Sequence, residues 1–206
     1  MMTALRAFRL VAWFLVAIIT LLLIAGYVLQ SGGDKRFSEA DTSSTPAIGR
    51  PFELVSHRGQ LIDNAVLKGK PYLAFFGFTH CPDICPTTLF ELSDLMSELG
   101  PAASGFNVVF ISVDPERDTQ QLLSEYMTSF DPRILALRGT PEQTATAVKA
   151  FSAYSRKVPT GDGGYTMDHT AGVYMMDADG GFKGTLDMHE SREVRLKKIR
   201  NLMAGL

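Results

Sequence analysis

Residues 73–99 read LAFFGFTHCPDICPTTLFELSDLMSEL, and the fold is decided there. Tyr72, Leu73, Ala74, Phe75, Phe76 and Phe78 form a short apolar run, bounded by Pro71 and Gly77, which reads as a strand buried on both faces. A helix pattern follows almost at once. Leu89, Leu92, Leu95, Met96 and Leu99 recur on one helix face, with Pro86 in the first turn, where the missing N–H costs nothing. Cys81 and Cys85, the 2 cysteines of the chain, lie between the strand and the helix. A lone free cysteine is usually a small buried hydrophobe. Two of them, four apart in a strand-to-helix loop and flanked by prolines, point instead to redox or metal chemistry.

The chain has 206 residues, enough for one well-filled domain. Leu10 to Leu29 is a run of 20 residues without a charge. As a helix it would span roughly 30 Å, the thickness of a bilayer core. Arg6 and Arg9 precede it and no acidic residue occurs before Asp34, which predicts an uncleaved anchor with residues 1–9 in the cytoplasm and the remainder outside. Beyond the anchor 18 basic face 22 acidic side chains and no dense Lys/Arg cluster occurs, so nucleic acid is not the expected partner. Residues 30–47, rich in Gly, Ser and Thr, read as a flexible linker.

Residues 48–206 read as the folded domain. Phe52, Leu54 and Val55 followed by Leu61 and Ile62 suggest a hairpin, with His57 in its turn. Asn107 to Val113 is a second buried-strand run, and Asp118 and Thr119 are candidate caps for the next helix. Ile134 to Leu137 reads as a strand, and Thr140-Pro141-Glu142-Gln143 as a capping box. Lys157 to Thr166, polar and glycine-rich, reads as an exposed loop leading to Met167-Asp168-His169-Thr170. Val173 to Met176 and Phe182 to Leu186 form a second hairpin, and Ser191 caps a last helix. Strands that alternate with helices and then end in a hairpin and a helix predict an α/β domain, a mixed sheet with helices on both faces. With the cysteines just after a central strand, the arrangement is thioredoxin-like.

Two thiols on one short loop can close a disulfide or share a soft metal, and an extracytoplasmic compartment permits either. Cys85, at a helix N-terminus, is placed where the dipole lowers a thiol pKa. The spacing is C-x-x-x-C rather than the C-x-x-C of thioredoxin-type exchange, and no proline occurs between Thr160 and Leu206 to face the pair. His169 stands before the later strand instead, which favours metal binding.

The segments FFGFTHCPDICP, ISVDPERDT and DHTAGVYMMDADG, together with the N-terminal apolar segment, resemble the Sco/SenC copper proteins from about Ile48 to the C-terminus. The resemblance implies a thioredoxin-like domain that binds one copper ion, Cu(I), Cu(II) or both, through Cys81, Cys85 and His169. It implies delivery of copper to the binuclear centre in subunit II of cytochrome c oxidase, with other periplasmic copper carriers or thiol reductants as further partners. The rival readings keep Cys81 and Cys85 as a redox-active pair, in a thiol-disulfide oxidoreductase that reduces the oxidase subunit's cysteines or in a thiol peroxidase or redox sensor. No Arg- and Ser-rich presequence precedes Leu10, which favours a bacterial inner membrane with a periplasmic domain over a mitochondrial precursor.

The neighbours of these residues divide into several expectations. His80 is expected to point away from the loop, and His189 to lie on the surface near the last helix. Met167, Met175, Met176 and Met188 are soft enough for Cu(I), yet methionine is more often core filling. Asp83 either tunes the cysteine loop or favours its turn. Asp114, Arg117 and Asp118 read equally as a docking surface or as a strand end and helix cap. Asp168 either orients the His169 ring or ends a loop.

Overall fold

The computed structural model describes residues 13–25, 48–161 and 163–206. The chain divides into two units, Met1–Thr45 and Pro46–Leu206. In the first, residues 13–25 are helical (α1) and exposed throughout, with large apolar side chains such as Trp13, Phe14, Ile18 and Leu22 on all sides. Among the described residues no helix is long and apolar enough to cross a membrane. Residues 10–12 and 26–29 of the expected anchor, and the linker up to residue 47, lie outside the described residues.

The second unit is built on a seven-stranded sheet of order β2-β1-β5-β4-β3-β8-β9. Its strands are β1 (Glu53–Ser56), β2 (Leu61–Asp63), β3 (Tyr72–Gly77), β4 (Asn107–Ser112), β5 (Ile134–Arg138), β8 (Val173–Met176) and β9 (Phe182–Leu186). β3, β4 and β5 run parallel, and β1, β8 and β9 pair antiparallel with their neighbours. The mixed α/β sheet expected from the sequence is therefore present.

The helices are α2 (Asn64–Leu67), α3 (Ile84–Leu99), α4 (Gln120–Met127), α5 (Pro141–Ala150) and α6 (Arg192–Met203), with a 3-10 turn at Gly100–Gly105. Alternation along β3 assigns their faces. Phe75 meets Phe110, which meets Tyr126 of α4, whereas Phe76 meets Phe151 at the end of α5. Arg192 and Arg195 of α6 pair with Asp94, Glu98 and Glu91 of α3. So α3, α4 and α6 share one face and α5 covers the other. Every residue of β3 is buried, as its unbroken apolar run requires.

Local chemistry starts and stops these helices where the sequence indicates. Thr119 accepts from the Leu122 N–H to cap α4, and Thr140 and Gln143 complete a reciprocal capping box at α5. Asp118 is not a cap: the N-cap of α4 is Thr119. His57 lies in the β1–β2 turn, as expected, but is buried: it is 8% exposed, its N–H donates to the Ala136 carbonyl at 2.7 Å, and its Nδ1 accepts from the Ala136 N–H at 3.1 Å. It extends the β1–β5 pairing.

The segment expected as an exposed loop is instead an antiparallel ribbon, β6 (Ser155–Pro159) with β7 (Tyr165–His169), forming a two-stranded sheet of its own. Its residues are mostly exposed or half-buried, so neither strand carries the apolar alternation by which a strand is read. Salt bridges Arg156–Asp168 at 3.0 Å and Lys157–Glu116 at 2.6 Å decorate it.

Candidate metal centre

β3 delivers the chain to the site and α3 carries it away. Gly77 closes β3, the loop Phe78–Asp83 turns, and α3 begins at Ile84, so Cys81 lies on the loop and Cys85 in the first helical turn. Asp83 occupies the N-cap position without a side-chain capping bond, and its Oδ1 accepts from the Thr87 hydroxyl at 3.4 Å. Cys81 is partly exposed and Cys85 fully buried, both as free thiols. The Cys85 N–H donates to the Cys81 sulfur at 3.4 Å, bringing the two side chains to one point.

β7 brings the third group. His169 Nε2 lies 3.5 Å from the Cys85 sulfur, and the ligand atoms of Cys81, Cys85 and His169 all fall within 4.8 Å of one another. The ring is held between Phe75 and Phe78, both edge-on, at centroid distances of 6.3 and 5.8 Å. Its Nδ1 lies 3.0 Å from the Thr170 carbonyl, an acceptor only, so Nδ1 carries the proton and Nε2 offers a lone pair to the thiols. A ligating imidazole is commonly fixed by such a bond from its other nitrogen. Asp168 does not serve here, because it pairs with Arg156.

Electrostatics at the site follow burial. Burial pushes the Cys85 thiol far above the ordinary value of 9.0; the Cys81 side-chain contact pushes the same way, and the Phe78 backbone contact opposes them. The lowering expected from the helix N-terminus is thus overturned, because a buried thiolate loses more hydration than the first turn restores. Burial also holds the His169 imidazole below its ordinary 6.5, against the raising influence of Thr170 and Asp168. A thiol that stays protonated and an imidazole that stays neutral leave the metal-free site uncharged at Cys85 and His169. A soft cation is what would draw a proton from that thiol.

The loop is tied down from beneath. Asp118 is fully buried, and its carboxylate accepts from the Thr79 hydroxyl at 2.6 Å, the Thr79 N–H at 3.2 Å and the Ser112 hydroxyl at 2.5 Å. Burial raises its pKa while these bonds lower it. Asp114 is 2% exposed, pairs with Arg117 and accepts from the Tyr165 hydroxyl at 2.9 Å. Two buried carboxylates are not a docking surface, and the sequence carries no signal that separates a buried aspartate from a cap.

The other sequence candidates lie elsewhere. His80 is exposed, with Nδ1 3.0 Å from the Thr79 hydroxyl, and is outside the ligand cluster. His189 is exposed beside Asp187. Met175 and Met176 are core residues, and Met167 and Met188 pack against the core.

With that geometry fixed, the chain can be set against known proteins. The family model for SCO1/SenC matches residues 40–204. Protein SCO1 homolog 1, mitochondrial, of Arabidopsis thaliana is 38% identical over 146 residues, which cover 70% of this chain and 43% of that relative. Protein SCO2 homolog, mitochondrial, of Bos taurus is 36% identical over 163 residues, covering 77% and 61%. This chain thus spans 43% and 61% of the two relatives. Among solved structures, copper-bound ScoI of Bradyrhizobium japonicum is 46% identical, with a TM-score of 0.72 over 76% of this chain and 99% of that one. Copper-bound Sco1 of yeast is 32% identical, with a TM-score of 0.71 over 78% and 91%.

Proposed function

This chain belongs to the SCO1/SenC family, and from that premise we propose that it is a membrane-tethered copper carrier rather than an enzyme with turnover. One copper ion is held by Cys81, Cys85 and His169. The convergence of their three ligand atoms within 4.8 Å is the observation that carries this reading. Two thiolates suit Cu(I), and an added imidazole makes a set that also holds Cu(II). A three-ligand site keeps an open edge, and partly exposed Cys81 lies toward solvent while Cys85 is buried. An accepting ligand can then join before a donor leaves. In keeping with the resemblance to Sco/SenC proteins, the acceptor is the binuclear copper centre of cytochrome c oxidase subunit II.

The all-round apolar surface of helix 13–25 supports a membrane anchor formed by residues 10–29, since a helix apolar on every side needs an apolar surrounding. The charge pattern around it supports a cytoplasmic N-terminus and a periplasmic copper domain in a bacterial inner membrane.

The same cysteines favour a second, thiol-based use. Cys81 is partly exposed and Cys85 buried, with the two sulfurs within 4.8 Å of each other, an order suited to exchange. Exchange with a partner disulfide would break the partner's S–S bond and form Cys81–Cys85, with two electrons and two protons passing to the partner as two thiols, and would remove both sulfurs from the copper site.

Copper titration of the full chain in detergent, reduced and without oxygen, tests the carrier reading. One tightly bound ion is expected, and none after Cys81→Ser or Cys85→Ser. A serine variant that keeps tight, stoichiometric copper would overturn the ligand assignment.

A further inference from the structure

The two halves of the metal site have no hydrogen-bonded sheet in common. The cysteine loop hangs from β3 in the seven-stranded sheet, whereas His169 ends β7 in a separate two-stranded ribbon. A ribbon with its own ladder and no buried residue in either strand does not by itself fix the distance from an imidazole to a thiol. Contacts outside the ribbon share in setting it, beginning with the Phe75 and Phe78 rings that flank the imidazole.

The five residues Asp114 to Asp118 touch both halves. At one end, the Asp118 carboxylate holds Thr79, two positions before Cys81. At the other, Arg117 holds Tyr165. Its guanidinium lies 3.7 Å from the Tyr165 ring centroid, and its Nη1 donates to the Tyr165 carbonyl at 2.9 Å. Asp114 pairs with Arg117 and accepts from the Tyr165 hydroxyl at 2.9 Å. Burial and then Asp114 push that phenol up to about 12, so it remains a donor. Lys157 closes the other contact on the ring, with Nζ 3.9 Å from the centroid, and itself pairs with Glu116 of the same five residues.

Tyr165 is four residues before His169 on one strand, so the two side chains share a face. Arg117 reaches the histidine a second way: it lies 5.7 Å over the Phe78 ring, which stands edge-on to His169 at 5.8 Å. We propose that the segment Asp114–Asp118 registers the two halves of the site against each other, with Arg117, clamped on Tyr165, the positioning residue for His169. Arginine is required for this because its planar guanidinium stacks on a ring while donating in its own plane, which an ammonium cannot do.

The proposal rests on the reading that His169 is a copper ligand, and its test separates the two. Cu(II) affinity and the thiolate-to-copper absorption band are measured on the full chain in detergent for the unmodified protein, Arg117→Ala, His169→Ala and the double variant. Removing a residue that orients a metal ligand costs about 10- to 100-fold in affinity, and that loss is expected for Arg117→Ala. At saturating copper its band should move toward that of His169→Ala. Arg117→Lys should stay weak, and in the His169→Ala background Arg117→Ala should add little.

If His169→Ala binds as the unmodified protein does, the ligand reading itself falls. If His169→Ala weakens binding but Arg117→Ala does not, or if the two losses multiply in the double variant, the positioning proposal is overturned. Tyr165→Leu, which leaves the Asp114–Arg117 pair in place, carries the same test should Arg117→Ala not fold. Loss of the fold in both would overturn the proposal as well, because a clamp serving His169 leaves the main sheet standing.

Discussion

A methyl group on Gly77 would lie 2.8 Å from the Cys85 sulfur and 2.6 Å from Cε2 of Phe110. The glycine is therefore the space in which the buried thiol rests against β3. Gly77→Ala should push Cys85 out of line, cost about 1–3 kcal/mol of stability as an overpacked core does, and weaken copper binding at least tenfold. Urea unfolding and copper competition measure both. Unchanged values would mean that Cys85 does not need this seat.

Asp118 should matter through the donors it satisfies. Asp118→Ala leaves the Thr79 N–H and the Thr79 and Ser112 hydroxyls facing a cavity, and a buried unpaired donor costs about 1–3 kcal/mol. Asp118→Asn keeps one acceptor, and both hydroxyls can turn, so its loss should be the smaller. Thermal unfolding of the two variants checks the order, and equal stability of Asp118→Ala and the unmodified protein would contradict it.

Stability of the reduced, metal-free protein should fall on both sides of neutrality. Burial lowers the pKa of His57 and of His169, so the unfolded chain binds protons first and stability drops as pH falls below about 6.5. Burial raises the Cys85 thiol, so the folded state holds its proton longer and stability drops as pH rises above 9.0. Melting temperatures between pH 5 and 10, on the order of one unit apart, test this, with a gentler acid limb in His169→Ala. A melting temperature that rises on acidification through this range would refute the assignment.

Copper loading should release at least one proton, because Cys85 is a protonated thiol at neutral pH and binds as a thiolate. Affinity should then rise about tenfold per pH unit for each proton released. His169 is already neutral there and adds nothing to the slope. Competition titrations across neutral pH measure it, and a flat profile would exclude Cys85 as a thiolate ligand.

What the sequence could disclose follows from where each residue's partners lie. β3, α3 and the cysteines at their junction were legible because an apolar run and an i, i+3, i+4 pattern are local signals, although Cys85 falls inside the helix rather than before it. Gly77 marked the end of that run, but nothing local showed that the Cys85 sulfur would fill the space beside it. The β6–β7 ribbon had none: its strands are polar, and Tyr165 is held by Arg117 and Asp114, some fifty positions earlier in the chain. The group orienting His169 was equally hidden, since the Thr170 carbonyl is backbone and any residue supplies one. Asp114 and Asp118 resembled a cap or a surface because only burial distinguishes them.

The central claim is that two sulfurs and one imidazole nitrogen hold the ion. X-ray absorption at the copper edge of the Cu(I)-loaded full chain, beside His169→Ala, tests it most directly. Two sulfur scatterers and one imidazole nitrogen are expected, with the nitrogen lost in the variant and both sulfurs kept. A sulfur-only site in the unmodified protein, or a nitrogen that survives in His169→Ala, would contradict it.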